Sequence, residues 1–292
     1  MKAFTALITV LFIAALSMPV LSVKAQERLN LTIKPDGSID PITDLLERNG
    51  STYTFKGDIF GTIWVQTDNI VIDGAGYTLW GDGINTGQNS EIGILLGGPD
   101  LSHRECRAVL VKNLRIYNIP RGIFSVGGSN NSFIGNYFNK SAIAIHGNAN
   151  LTGDLITHNT FINTSISFDY NPNGTDIITE NNFNDSAIYI WLAKAPIVDR
   201  NYWRDYTTKY PDAKEIGDTG LWNTPYEYSE NTVDTHPLIT PYETSPPTPS
   251  PSPTSEPTLN EELFQTTLIV MSIALTAIII TSLLFYFKKH KH

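Results

Sequence analysis

Between residues 122 and 203 the sequence returns to the same pattern every 20–23 residues. The second half of each unit reads Phe133-Ile134-Gly135-Asn136-Tyr137-Phe138, then Ile156-Thr157-His158-Asn159-Thr160-Phe161. It continues as Ile178-Thr179-Glu180-Asn181-Asn182-Phe183 and Val198-Asp199-Arg200-Asn201-Tyr202-Trp203. Asn thus recurs at 136, 159, 181 and 201, and an aromatic ring follows two residues later each time. The first half repeats as Ile123/Ser125, Ile143/Ile145, Ile166/Phe168 and Ile188/Ile190. Alternation with a period of two marks short strands with one buried face. Two earlier units, Ile70-Val71-Ile72-Asp73-Gly74 and Leu110-Val111-Lys112-Asn113, keep the pattern more loosely.

Short strands and polar turns at this period predict a parallel β-helix, with one coil per unit and coils stacked about 4.8 Å apart. Crossovers between parallel strands are right-handed in nearly all cases, so the coil is expected to be right-handed. Residues 50–203 allow about seven coils. An Asn in register on every coil is expected to form an interior amide ladder, and the aromatic a core stack. A leucine-rich repeat would need a leucine consensus that is absent, and a β-sandwich would not keep Asn and an aromatic in register over four units. The open ends of such a stack need caps. Residues 26–60 are expected to hold an N-terminal cap and first strands, with Asp44-Leu45-Leu46-Glu47-Arg48 as a short helix. Residues 61–203 are the β-helix, and 204–243, which lack the repeat, the C-terminal cap. The expected class is all-β, with one helix added beyond the array.

That helix is Thr266–Phe287, 22 residues without a charge. Such a segment spans the roughly 30 Å hydrocarbon core of a bilayer. Lys288-Lys289-His290-Lys291 follows, which keeps residues 288–292 in the cytoplasm. Residues 244–258 form a linker in which fourteen of fifteen positions are Pro, Ser or Thr, an extended chain reaching roughly 45 Å. At the other end, residues 1–25 read as a signal peptide: Lys2, the apolar run Ala3–Leu16, and Val23-Lys24-Ala25 before a cleavage point. The expected location is the cell membrane, single-pass, with the ectodomain outside. Asn30, Asn49, Asn130, Asn139, Asn150, Asn163, Asn173 and Asn184 open N-x-[ST] sequons and are candidate N-glycosylation sites.

Without the five lysines of the two ends, the chain has 15 basic against 29 acidic residues, a net charge of -14. Nucleic-acid binding needs a basic face, so it is excluded as a function class. One cysteine, Cys106, leaves no internal disulfide framework and no CxxC site.

Several stretches stand out beside the repeat: Ile33-Lys34-Pro35-Asp36-Gly37-Ser38-Ile39, Tyr53-Thr54-Phe55, and Asp68-Asn69-Ile70-Val71-Ile72-Asp73-Gly74-Ala75-Gly76-Tyr77-Thr78-Leu79. Asn201-Tyr202-Trp203-Arg204-Asp205-Tyr206, Ile216-Gly217-Asp218-Thr219 and His236-Pro237-Leu238 follow toward the C-terminus. Over about residues 30–242 these stretches resemble the NosD-type right-handed parallel β-helix proteins, with their carbohydrate-binding and sugar-hydrolase-like repeats, especially archaeal cell-surface members. The resemblance implies the architecture and leaves the activity open, because the fold hosts binders, lyases, hydrolases and epimerases. The NosD name also implies a copper-related role. Copper prefers Cys, Met and His. The ectodomain histidines His103, His146, His158 and His236 share no spacing motif, and beyond the signal the one methionine is Met271, so the residues lend that role little support.

If Ile143/Ile145, Ile166/Phe168 and Ile188/Ile190 face inward, His146, Asp169 and Trp191 face outward, at spacings of 23 and 22 on adjacent coils. Ala144, Ser167 and Tyr189 run beside them. Rings stack on sugar faces and polar groups bond hydroxyls. His146, Asp169, Tyr189 and Trp191 are therefore the candidate carbohydrate-binding set. The corner column Gly135, His158, Glu180, Arg200 reads as a local ion pair. The charged insert Leu101–Arg107 reads as a solvent loop, and Cys106 as a buried or idle thiol. Hydrolase chemistry needs clustered carboxylates, whereas Asp68, Asp73 and Asp169 are scattered, so no catalytic residue is assigned. The acidic stretch from Asp205 to Asp212, with Asp218, lacks an EF-hand pattern and is at most a weak calcium contact. No cofactor or other metal is expected. The expected function is non-catalytic binding of a glycan or a surface-layer protein. The alternatives are a polysaccharide-active enzyme (lyase, hydrolase or epimerase) and, further, a NosD-like copper-related periplasmic protein or a purely structural spacer.

Overall fold

Each repeat unit folds into three short strands joined by tight turns. The computed structural model describes residues 27–86, 90–98, 105–146, 153–169, 175–191, 193–230 and 232–243. All lie in the first of the two units into which the chain divides, Met1–Pro247 and Thr248–His292. The expected signal peptide, linker, membrane span and basic tail fall outside the described residues. Among the described residues, no helix is long and apolar enough to cross a membrane.

The chain begins with β1 (Leu29–Ile33), β2 (Ile39–Asp40), β3 (Leu46–Asn49), β4 (Thr52–Phe55) and β5 (Ile59–Val65). Successive coils then carry β6 (Val71–Asp73), β7 (Thr78–Trp80) and β8 (Ile92–Leu96), and β9 (Leu110–Lys112), β10 (Arg115–Tyr117) and β11 (Arg121–Val126). Next come β12 (Ser132–Ile134), β13 (Tyr137–Asn139) and β14 (Ala142–His146), and β15 (Leu155–Thr157), β16 (Thr160–Ile162) and β17 (Ser165–Asp169). The last coils hold β18 (Ile177–Thr179), β19 (Asn182–Asn184) and β20 (Ala187–Trp191), then β21 (Ile197–Asp199) and β22 (Tyr202–Trp203). A short helix α1 (Tyr206–Lys209) and a hairpin of β23 (Tyr226–Ser229) and β24 (Thr232–Asp234) follow.

Every third strand pairs in parallel with its counterpart on the next coil, which gives three parallel sheets. Sheet I runs β1-β5-β8-β11-β14-β17-β20, sheet II β4-β6-β9-β12-β15-β18-β21, and sheet III β5-β7-β10-β13-β16-β19-β22. β5 serves two sheets: Ile59 and Phe60 pair with β7, and Ile63–Val65 with β8. The chain is thus a parallel β-helix of about six turns. The estimate of seven coils counted units. The seventh unit has only β21 and β22, so its turn does not close on sheet I.

β5 can turn the corner between sheets because of Gly61, whose φ is +150°. A Cβ there would lie 1.9 Å from the Leu29 carbonyl oxygen, which is backbone and cannot rotate away. Gly61→Ala is therefore expected to lower stability by about 2 kcal/mol, read as a fall in the urea midpoint. An unchanged midpoint would mean that β1 is not held against β5.

The polar column is the expected amide ladder. Asn136 donates its backbone N–H and Nδ2 to Asn159 Oδ1 (2.9 and 3.2 Å). Asn159 does the same to Asn181 (2.9 and 3.0 Å), and Asn181 to Asn201 (3.0 and 2.9 Å). The residue before each Asn holds a left-handed φ: Gly135 66°, His158 59°, Glu180 55° and Arg200 60°. That conformation costs a non-glycine residue roughly 1–2 kcal/mol, which the ladder bonds of the next residue offset. Beside the ladder Phe138, Phe161, Phe183 and Trp203 stack at centroid distances of 4.9, 5.1 and 4.4 Å.

The cap ends both columns. Tyr226 takes the next place in the ring stack, 4.2 Å from Trp203. The ladder has a direction, so its last amide needs a group that only accepts. Asp234 is that group: its oxygens accept from Asn201 N, Asn201 Nδ2 and Trp203 Nε1 at 2.9, 3.1 and 3.0 Å. Burial pushes its carboxyl up, against the opposing pull of the Trp203 and Asn201 donors. At the N-terminal end the expected helix over residues 44–48 is not formed. Leu46–Asn49 is instead a strand paired antiparallel to β4, with Leu46 buried, and β2 pairs antiparallel to β1. Two reversed strands occupy the open edges that a helix would have left unpaired.

Candidate functional site

On the outer face of sheet I the expected residues meet in register. His146 lies beside Asp169 on the next rung, and Asp169 beside Trp191 on the one after. His146 Nδ1 is 3.1 Å from Asp169 Oδ2. The parallel column is Ala144, Ser167, Tyr189, and Phe124 precedes Ala144. Small side chains on two rungs between larger rings make a shallow trough. Its floor is Ala144 and Ser167, and its ends are Phe124 and Tyr189, three rungs or roughly 14 Å apart. The Arg121 guanidinium lies 5.0 Å from the Phe124 ring centre. Tyr189 is 57% and Trp191 72% exposed, although interior neighbours such as Ile188 are buried. Phe124 and Arg121 were not singled out from sequence. The signal was present, since Phe124 holds in its own coil the outward position that Ala144 holds in the next.

His146, Asp169 and Trp191 end their strands, immediately before the connections from sheet I to sheet II. Connections between sheets II and III are two residues long from β9 onward, as at 135–136 and 158–159. Those from sheet I to II vary in length, the longest being 97–109, 147–154 and 170–176. Three of the longer connections therefore leave sheet I at the trough's edge, while another, 81–91, joins sheet III to sheet I. At the foot of two of the three Asp154 and Asp176 are buried in a second ladder, where Asn131 N donates to Asp154 Oδ1 (2.8 Å) and Asp154 N to Asp176 Oδ1 (2.9 Å). Burial, with the neighbouring Asp176 charge, pushes the Asp154 carboxyl up to about 7.

The other candidates take structural places. Glu180 pairs with His158 (3.0 Å) and Arg200 (3.5 Å), the expected local ion pair. The Tyr242 ring lies 4.2 Å from that of His158. Of the charged insert, residues 101–104 and with them His103 fall outside the described residues. Glu105 and Arg107 pair at 2.9 Å, and the Cys106 thiol is buried and donates to the Val65 carbonyl (3.1 Å). Asp205 accepts from the Tyr226 hydroxyl (3.0 Å). Among the described residues, no three His, Cys, Asp or Glu side chains gather as a metal site.

The sequons divide. Asn150 and Asn173 lie outside the described residues. Asn30, Asn49, Asn130 and Asn163 are exposed, while Asn139 and Asn184 are half-buried. Behind the two half-buried ones the serine ties its turn to the neighbouring coil. Ser141 Oγ accepts from Ile119 N (3.0 Å) and donates to Asn139 O (3.1 Å). Ser186 Oγ does the same with Thr164 N (3.2 Å) and Asn184 O (2.9 Å). Those two motifs arise from the turn itself.

The chain matches no protein-family model, no curated protein and no solved structure.

Proposed function

We propose that this protein is a non-catalytic glycan-binding module of the cell surface, with the sheet I trough as its binding face. The observation that carries the reading is the pair of exposed rings, Tyr189 and Trp191, beside a hydrogen-bonded His146–Asp169 pair on a floor of small residues. Nothing in the packing of the coils requires rings there, since the interior is already filled by Ile188 and its neighbours. Rings of this kind stack on the C–H faces of sugars, and the imidazole and carboxylate bond the hydroxyls at the edge. Insertions along the same edge fit a binding role, because repeat proteins vary their loops on the face that binds. A right-handed coil of the NosD type, a signal peptide, a single membrane span and an extended stalk complete the proposal. They rest on the sequence patterns alone.

The test uses the full chain in detergent and a panel of neutral and acidic polysaccharides, scoring retention and released products together. Trp191→Ala is expected to weaken retention about tenfold, the effect of losing about 1.4 kcal/mol of stacking. Unchanged retention in that variant would reject the trough. One observation favours a second reading: His146 Nδ1 is held by Asp169, as in a general base with an orienting carboxylate. Products that vanish in Asp169→Ala would make the protein a polysaccharide-active enzyme.

A further inference from the structure

The outer face of sheet III carries a second group of rings, on β7, β10 and β13, of which only β13 lies within the regular repeat. Thr78 and Trp80 point outward from β7, Arg115 and Tyr117 from β10, and Tyr137 and Asn139 from β13. The pairing register puts Thr78, Arg115 and Tyr137 in one column and Trp80, Tyr117 and Asn139 in the next. The inward residues of the same strands, Leu79, Ile116 and Phe138, supply the core, and Tyr117 is 45% exposed. The coils need no outward ring at these positions.

The platform is held in place from one side. Phe60 stacks on Trp80 at 4.3 Å, and the Arg28 guanidinium lies 5.4 Å from the Phe60 ring centre. Arg28 is ion-paired to Glu91, whose side chain is 3% exposed. Glu91 also accepts from the backbone N–H groups of Asp82 (3.3 Å) and Gly83 (3.0 Å). Asp82 and Gly83, which leave the sheet directly after Trp80, are thereby tied to Glu91. A ring fixed before binding loses little freedom on binding.

Arg115 gives the face its sign. In this acidic chain Arg28, Lys34, Lys56, Arg107, Lys112, Arg200 and Arg204 each pair with a carboxylate. Arg115 lies 5.4 Å from the Tyr137 ring centre and, like Arg48, Lys140, Lys194, Lys209 and Lys214, has no carboxylate within salt-bridge distance among the described residues. The nearest acid in its column, Asp58, accepts the Thr78 N–H (2.7 Å). Sheet II makes the contrast: one outer column holds Leu110, Ser132, Leu155, Ile177 and Ile197, the other Lys112, Ile134, Thr157, Thr179 and Asp199, with no aromatic ring in either. Rings, an unpaired guanidinium, an amide and a hydroxyl on sheet III instead fit a sugar ligand. We infer that sheet III binds an acidic polysaccharide, with Trp80 and Tyr117 against sugar faces and the Arg115 fork on a uronate carboxylate. This site is separate from the trough on sheet I, and either can fail without the other.

The test measures binding of the full chain in detergent to polygalacturonate, alginate and hyaluronate, and to a neutral cello-oligosaccharide, by calorimetry at low and high salt. At least one acidic polymer is expected to bind, more weakly as salt rises. Tyr117→Ala and Arg115→Gln are each expected to weaken it tenfold or more, with the melting temperature unchanged and the exposed Asp218→Asn without effect. Arg115→Lys should recover only part of the loss, because it keeps the charge but not the fork. The inference is overturned if none of the three acidic polymers binds, or if both variants bind as the parent does. It is equally overturned if Trp191→Ala abolishes the binding, which would put the polymer on sheet I, or if Tyr117→Ala instead abolishes self-association, which would give the face to a second copy.

Discussion

Replacing Asp234 by asparagine is expected to destabilise the protein by about 3–5 kcal/mol, although the two side chains have the same size. Five N–H groups converge on this carboxylate. Arg200 N and His236 N donate to Oδ1 at 3.0 and 3.3 Å, and Asn201 N, Asn201 Nδ2 and Trp203 Nε1 to Oδ2 at 2.9, 3.1 and 3.0 Å. An amide has one oxygen, so whichever way it turns, its NH2 faces at least two donors. Asp234 and Asn201 are fully buried and Trp203 is 2% exposed, so water cannot replace the lost acceptor. Each buried donor left unpaired costs about 1–3 kcal/mol. Urea unfolding followed by tryptophan fluorescence reads the loss. The exposed Asp218→Asn is the control and should stay within about 0.5 kcal/mol of the parent. Equal midpoints for the two variants would mean that the ladder does not depend on an acceptor-only terminus.

Asp154→Asn should act in the opposite direction, and only above acid pH. Burial, reinforced by the Asp176 charge, raises the Asp154 carboxyl from 3.8 to about 7 in the folded protein. Between those two values the folded chain holds a proton that the unfolded chain has released. Stability therefore falls as pH rises through this window, and the penalty is complete above about pH 7. The span corresponds to at most about 4 kcal/mol, and relaxation of the buried pair reduces it. Asparagine carries no such penalty, and the column already accepts one: Asn131 Oδ1 accepts from Val109 N at 3.0 Å. An amide at 154 can keep the bond from Asn131 N and direct its NH2 at Asp176, as Asn136 does at Asn159. The variant should be more stable than the parent at pH 8, by about 2–4 kcal/mol in urea, with little difference near pH 4. A variant less stable by the same amount at both pH values would show that the fold uses the Asp154 charge.

The candidate site on sheet I was legible because two periods cross there. Alternation along a strand says which side chains face out, and the coil length says which outward residues are neighbours. Both read correctly for His146, Asp169 and Trp191, whose partners lie one regular unit away. Phe124 and Arg121, one coil earlier, complete the trough, but the spacing there is 20–21 residues and a β-bulge falls between Arg121 and Ile123. The platform on sheet III was not legible at all. Trp80 and Tyr117 are neighbours across 37 residues because insertions follow β7 and β8, and no constant period connects them.

The sequence by itself determined the parallel coil, the amide ladder and the ring stack. Each of their contacts joins a residue to its own counterpart one unit on, so the same interaction is written again in every unit. Tertiary structure alone decided how the columns end. Asp234 under Asn201, Tyr226 under Trp203 and β3 against β4 are contacts between a repeating element and a segment without the repeat. A column that bonds only to copies of itself always leaves one end unsatisfied. What satisfies that end comes from wherever the chain can fold back to reach it, and no periodicity announces that place.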